Sequence, residues 1–133
     1  MDYKASLEEI EEAIEELKEL NKDIPIIVEG IKDVEALHSM GINGRIITIY
    51  HGIEIANFCD SIAKEYKEII ILTDWDKKGW QLCKKIVKNL KGRTKCNTDF
   101  HKIFAKNTLV KDIEGMPSFI KSMKKKINGR RNK

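Results

Sequence analysis

The chain is poor in cysteine, proline and aromatic residues. It holds three cysteines (Cys59, Cys83, Cys96), two prolines and 7% aromatics in 133 residues. An odd number of widely spaced cysteines supports neither a disulfide framework nor a Cys-x-x-Cys zinc site, and points to a reducing, cytoplasmic setting. Long apolar runs are also missing. None approaches the ~18 residues that a helix needs to cross a bilayer, and the N-terminal stretch MDYKASLEEIEEA has no apolar signal segment. Neither a membrane nor zinc is therefore expected as a partner. Tyrosines are few (Tyr3, Tyr50, Tyr66), and none sits where a strand-breaking nucleophile can be argued. What is present is 41% apolar content arranged in recurrent Ile-rich blocks, which argues against a disordered chain. At this length that content is enough to close one core.

Charge is plentiful, at 35% of residues, but segregated. Residues 1–23 hold nine acids and three lysines, net −6; residues 24–76 hold nine acids and four bases, net −5. Residues 77–133 hold eighteen bases and three acids, net +15, which leaves +4 for the whole chain. A basic half beside an acidic middle suggests a polyanionic partner next to a metal-binding centre. A lysine-rich solvated surface is the plainer alternative.

Apolar periodicity divides the chain into an N-terminal helix (1–23), an alternating α/β unit (24–107) and a C-terminal extension with a basic tail (108–133). Ser6 and Glu9 form a capping box ahead of Leu7, Ile10, Ile14, Leu17 and Leu20, which repeat along one helical stripe. That stripe suits packing on its own domain; a homodimer seam is the second choice. Residues 24–29 (IPIIVE), 45–50 (RIITIY) and 68–73 (EIIILT) read as buried strands, and 93–97 as a weaker fourth. Helices are expected over 33–40, 55–66, 78–90, 99–106 and 118–127, the last opened by Pro117, with a fraying tail from Asn128. Strands alternating with helices imply a Rossmann-like parallel sheet of about four strands covered on both faces.

Ligands of such sheets bind beyond the carboxyl ends of the strands. Glu29-Gly30 ends the first strand and Asp74-Trp75-Asp76 ends the third, so three acids converge. In extended chain Asp74 and Asp76 share a side and Trp75 takes the other. Carboxylates gathered at an apolar mouth repel one another, and all-oxygen donors suit Mg²⁺ or Mn²⁺. Gly30 and Gly79 permit close approach of backbone or phosphate. A lone Asp-x-Asp more often marks a turn or a cap; two acidic strand ends, each flowing into a helix, are the stronger signal.

The stretches IIVEGIKDV (26–34) and IILTDWDKKG (70–79) resemble the two motifs of the Toprim domain, shared by primases, topoisomerases and small ribonucleases. Both are apolar strands. One ends in Glu-Gly with Asp33 four residues after Glu29, and the other ends in Asp-x-Asp with Gly79 nearby. The wording is most similar to small stand-alone archaeal Toprim proteins, related to the ribonuclease that matures 5S ribosomal RNA and to the primase core. Residues 113–119 (IEGMPSF) also resemble a segment of those proteins. The resemblance implies Mg²⁺-dependent phosphodiester chemistry with two ions when substrate is bound. Glu29 then serves as general acid or base and metal ligand, and Asp74 and Asp76 as metal carboxylates, with Gly30, Asp33 and Gly79 in support; Gly52, which follows the second strand, is a further supporting candidate at the rim. Position 31, Lys or Tyr in those branches, is Ile31 here and Lys32 follows it, which leaves substrate choice open.

Lys32, Lys77, Lys78, Lys84, Lys85 and Lys88 are candidate phosphate contacts, although the last three also fit the wet face of a helix. Trp75 reads as packed and Trp80 as either packed or stacking. His51 follows the second strand, where a solvent-exposed loop is the plainer account, and His38 and His101 read as structural. Three function classes remain: a Mg²⁺-dependent nuclease with RNA favoured over DNA, a nucleic-acid-binding module or primase-like accessory subunit, and a receiver-type α/β protein. The receiver reading is weakened by the single acid after the first strand.

Overall fold

Short blocks of β-branched residues become strands here because both faces of the central strands are covered. The computed structural model describes residues 2–49 and 52–131. The chain runs α1 (Tyr3–Leu20), β1 (Ile26–Val28), α2 (Ile31–Ser39), β2 (Ile46–Thr48), α3 (Ile55–Glu65), β3 (Glu68–Ile71), α4 (Lys77–Leu90), β4 (Lys95–Asn97), α5 (Asp99–Asn107) and α6 (Met116–Arg131). The four strands pair in the order β2-β1-β3-β4, all parallel. Ile26 stands opposite both Ile46 and Ile70, so the acidic ends of β1 and β3 are neighbours.

Side chains alternate across the sheet as strand geometry requires. Ile26, Val28, Ile70 and Leu72 face a layer built by α1, α2, α5 and α6. Ile27, Ile69 and Ile71 face α3 and α4, with Phe58, Ile62, Ile86 and Leu90. Each fully buried Ile or Leu contributes roughly 1.5–3 kcal/mol. The stripe of α1 (Leu7, Ile10, Ile14, Leu17) is buried in this same core against α5 and α6. These side chains are enclosed by their own chain, so the stripe packs on its own domain.

Several boundaries differ from expectation for local reasons. Asp2, not Ser6, caps α1: its Oδ1 accepts the Ala5 N–H at 3.1 Å, and Ser6 is buried one turn inside. An aspartate is as good a cap as serine, and the earlier start brings Tyr3 onto the core. Helix α2 starts at Ile31, two residues early, because the Asp33 carboxylate accepts the Gly30 N–H at 3.2 Å and closes its first turn. The weak fourth strand forms over Lys95–Asn97 at the sheet edge. Helix α6 starts at Met116, with Pro117 in the first turn where no N–H is needed. The tail expected to fray from Asn128 is helical as far as Arg131, and its last two residues lie outside the described residues.

Candidate active site

Residue Glu29 directly follows β1. The chain continues beyond β3 through Leu72 and Thr73 to Asp74, with Leu72 N–H still donating to the Ile27 carbonyl at 2.8 Å. The two strand ends are joined by one bond: Asp74 N–H donates to Glu29 Oε2 at 2.7 Å. Asp76 departs from its expected place. The strand ends at Ile71, the backbone bends at Trp75 and Asp76, and Asp76 is the N-cap of α4. Its Oδ1 accepts the Gly79 N–H at 2.8 Å. The extended i, i+2 geometry therefore does not apply to this acid pair. Trp75 is buried, as expected, and its Nε1–H donates to the Val110 carbonyl at 2.6 Å.

Electrostatics at this mouth are strained. Asp74 is pushed up to about 7, first by burial, then by the charges of Glu29, Asp33, Asp112 and Asp76. The proton is held because water is partly excluded while four carboxylates face the group. Among the described residues no three His, Cys, Asp or Glu side chains are gathered tightly enough to hold a metal. Two of the three acids instead each lend one carboxylate oxygen to a backbone amide, leaving the other oxygen of each available.

Beneath Asp74 lies a framework that sequence reading does not assemble. His101 is fully buried, with Nε2 3.0 Å from the Asp74 carbonyl oxygen and 3.4 Å from Thr73 Oγ1. A carbonyl oxygen only accepts, so Nε2 carries the hydrogen. Burial holds the ring below its usual pKa, and Nδ1 has no hydrogen-bond partner among the described residues. Thr73 Oγ1–H donates to the Gly79 carbonyl at 2.9 Å. Reading His101 as structural is thus right in kind, but the structure it supports is the Asp74 turn. A helical histidine twenty-seven residues from Asp74 carries no spacing signal that would reveal this.

Gly79 has the sharpest steric requirement in the site. A Cβ added there would overlap the carbonyl carbon and oxygen of Asp74, both backbone atoms that cannot swing aside. Gly79→Ala is expected to destabilise the protein by about 3 kcal/mol or more, the upper range for single substitutions. A urea unfolding curve measures it, and an unchanged midpoint would contradict this packing. Gly30 differs, since an added Cβ meets nothing within 4 Å; its space opens to solvent. Gly52 adopts φ +87 in the exposed turn before α3, a conformation that favours glycine, and is not among the residues lining the acidic cleft. His51 lies outside the described residues.

Asp33 is a brace. One oxygen takes the Gly30 N–H and the other takes the Glu114 N–H at 3.0 Å, pinning residues 108–115 to the Glu-Gly turn. Trp75 N–H donates to the Lys111 carbonyl at 2.7 Å and completes the attachment. That segment brings Asp112 and Glu114 to the acidic mouth, and sequence reading missed both acids. The only hint was the IEGMPSF run. A cleft of about 630 Å³ opens here, lined by the acids Glu29, Asp33 and Glu114 and by the apolar Ile31, Ile49 and Leu82. Lys32 is exposed on its rim, 3.9 Å from Glu35. Lys77 and Lys78 are exposed in the first turn of α4, which carries no acid. Cations there oppose the helix dipole, a local cost that is commonest at functional sites. Lys84, Lys85 and Lys88 are exposed further along α4.

A family model described as the Toprim domain matches residues 24–107. The chain belongs to the Toprim family. A UPF0292 protein of Methanocaldococcus jannaschii is 39% identical over 116 residues, covering 85% of this chain and 91% of that one. A UPF0292 protein of Methanosarcina barkeri is 33% identical over 130 residues, covering 93% and 89%. A solved structure of a protein from Aquifex aeolicus superposes with a TM-score of 0.68 at 25% identity, covering 79% of this chain and 95% of that one. The Toprim match contains both acidic strand ends and the His101 brace, whereas Asp112 and Glu114 lie beyond it. Toprim membership connects the chain with metal-dependent, nucleic-acid-related function. Among the described residues no helix is long and apolar enough to cross a membrane.

Proposed function

We propose that the protein carries out Mg²⁺-dependent phosphodiester chemistry on nucleic acid, as a ribonuclease-like or RNA-processing activity. The observation that carries this reading is the joined pair of strand ends. Glu29 and Asp74 are tied by a 2.7 Å bond, and Asp74 is pushed up to about 7, first by burial and then by the neighbouring carboxylates, with no cationic side chain among the described residues to offset them. The donor set fits a hard divalent cation in chemistry and charge, since every group offered is a carboxylate oxygen. Glu29, Asp74 and Asp76 would hold it, and Mn²⁺ would serve in place of Mg²⁺. Such an ion, or a pair of them with substrate present, would neutralise phosphoryl charge and stabilise the attacking and leaving oxygens of an in-line displacement.

The chain's own residues supply the rest. Glu29 exchanges a proton with the attacking or leaving oxygen. His101 and Thr73 hold the Asp74 backbone from below. Lys32, Lys77 and Lys78 meet the phosphate backbone through sequence-independent contacts. The preference for RNA follows the resemblance to the 5S-maturing ribonuclease.

A second reading, a nucleic-acid-binding module without turnover, is favoured by one observation. Glu29 and Asp76 are both engaged with backbone amides, and the described acids are not gathered for a metal. A gel assay of purified protein separates the two, using labelled structured RNA, single-stranded DNA and duplex DNA with Mg²⁺, Mn²⁺ or EDTA. Metal-dependent product on RNA supports the first reading. Retarded but intact nucleic acid under every condition supports the second.

A further inference from the structure

A second groove lies between α4 and α5, apart from the acidic cleft. Its volume is about 460 Å³, and Trp80 and Val87 form its apolar floor. Lys84 and Lys88 border it along α4, Lys91 borders it just past the helix end, and Lys102 reaches it from α5. Positions 80, 84, 87 and 88 fall at helical spacing on one stripe of α4, and Lys91 follows as its C-cap. That stripe combines four-residue cation spacing with an aromatic start and an exposed valine, 37% accessible. No carboxylate among the described residues lines the groove. None of its four lysines has a carboxylate within 4 Å among the described residues, whereas Lys18, Lys22 and Lys106 elsewhere do.

We propose that this groove binds single-stranded nucleic acid, with a base stacked on Trp80 and the phosphates along the lysine border. The inference rests on the nucleic-acid reading above, but not on the metal assignment. Charge complementarity selects a polyanion. The apolar floor then selects a polyanion with exposed flat faces, because a base pair buries its faces in the duplex stack and cannot present them to Trp80. Trp80 is suited to be such a platform. It is half-buried, and its ring packs edge-on against His101 with centroids 4.1 Å apart, so its orientation is set before a ligand arrives. The same His101 holds the Asp74 carbonyl at 3.0 Å. The groove therefore begins at the turn that carries the acids, and a strand lying in it leads toward them. From Trp80 to Leu90, where α4 ends, the helix rises about 15 Å, room for roughly four stacked nucleotides at about 3.4 Å each.

The test is run in EDTA, so that cleavage plays no part. Oligouridine or oligothymidine of about ten nucleotides is titrated into the whole protein while tryptophan fluorescence is followed. Stacking on Trp80 should quench it; Trp75 is buried and bonded to Val110, so its signal should change little. Base–aromatic stacking of ~1–3 kcal/mol corresponds to about 5- to 150-fold in affinity. Trp80→Leu should lose that much while circular dichroism and the unfolding midpoint stay close to the parent's.

Because Trp80 touches His101, an independent variant on the exposed face guards against misfolding. Replacing Lys84 and Lys88 by Gln should lower the slope of log affinity against log salt by about 0.7 per lysine. Duplex of the same sequence should bind more weakly and be indifferent to Trp80→Leu. A folded Trp80→Leu protein that binds single strands as the parent does overturns the proposal. So does equal quenching by duplex, or an unchanged salt slope in the lysine variant. Binding in EDTA without cleavage in Mg²⁺ would remove the catalytic reading and leave this groove standing; cleavage without Trp80-dependent binding would do the reverse.

Discussion

Glu29→Gln is expected to lower metal-dependent cleavage by ~10²–10⁴-fold, the usual contribution of general acid–base catalysis, with little change in substrate affinity. Glutamine keeps the length of the side chain and an oxygen for the Asp74 N–H, which Glu29 accepts at 2.7 Å. The fold of the two strand ends is therefore retained while the exchangeable proton is lost. Asp76→Asn makes the useful contrast. Its side-chain oxygen still accepts the Gly79 N–H, because asparagine caps helices as well as aspartate does. Its defect should lie in holding the ion, and raised Mn²⁺ should partly restore activity. Single-turnover assays on labelled RNA measure both. Parental cleavage by Glu29→Gln would remove the proton-transfer role and point to a contaminating nuclease.

Asp74→Asn should abolish most Mn²⁺ binding in a calorimetric titration and at the same time stabilise the metal-free protein above neutral pH. Asp74 binds its proton more tightly when folded, at about 7 against 3.8 for a free aspartate, chiefly because it is buried. Its ionisation therefore opposes folding. The parent loses stability relative to the variant as pH rises from about 4 to about 7, and the difference levels off above that. Partial solvent contact screens the group, so the gap should be on the order of 1–2 kcal/mol. Thermal unfolding of both proteins in EDTA across this range measures it. A flat difference would show that Asp74 ionises freely in the folded chain, and equal Mn²⁺ affinity would remove it from the metal site.

The Ile-rich blocks and the helices between them are legible in sequence because a parallel sheet buried on both faces demands unbroken apolar strands. Ile26–Val28 and Ile69–Ile71 are fully enclosed. The acids at their ends are legible for the complementary reason that charge has no place inside such a strand and marks where it stops. Boundaries were less legible where two residues are equally able to do one job. Asp2 and Ser6 are both good caps, and only the seating of Tyr3 on the core decides between them.

Sequence alone determined the alternating α/β order, the acidic ends of β1 and β3 and the segregation of charge, because each follows from local pattern along the chain; the pairing of β1 with β3 then brought Glu29 to the Asp74 turn. The tertiary structure decided what reaches across it. It set His101 under the Asp74 carbonyl from twenty-seven residues away, and joined Asp33 to Glu114 across eighty-one. It turned Asp76 aside to cap α4, and faced Trp80 and the α4 lysines toward Lys102 of α5. Those contacts depend on how layers pack around the sheet. Packing responds to the volume and hydrogen-bonding needs of groups distant in sequence, and no spacing rule along the chain encodes them.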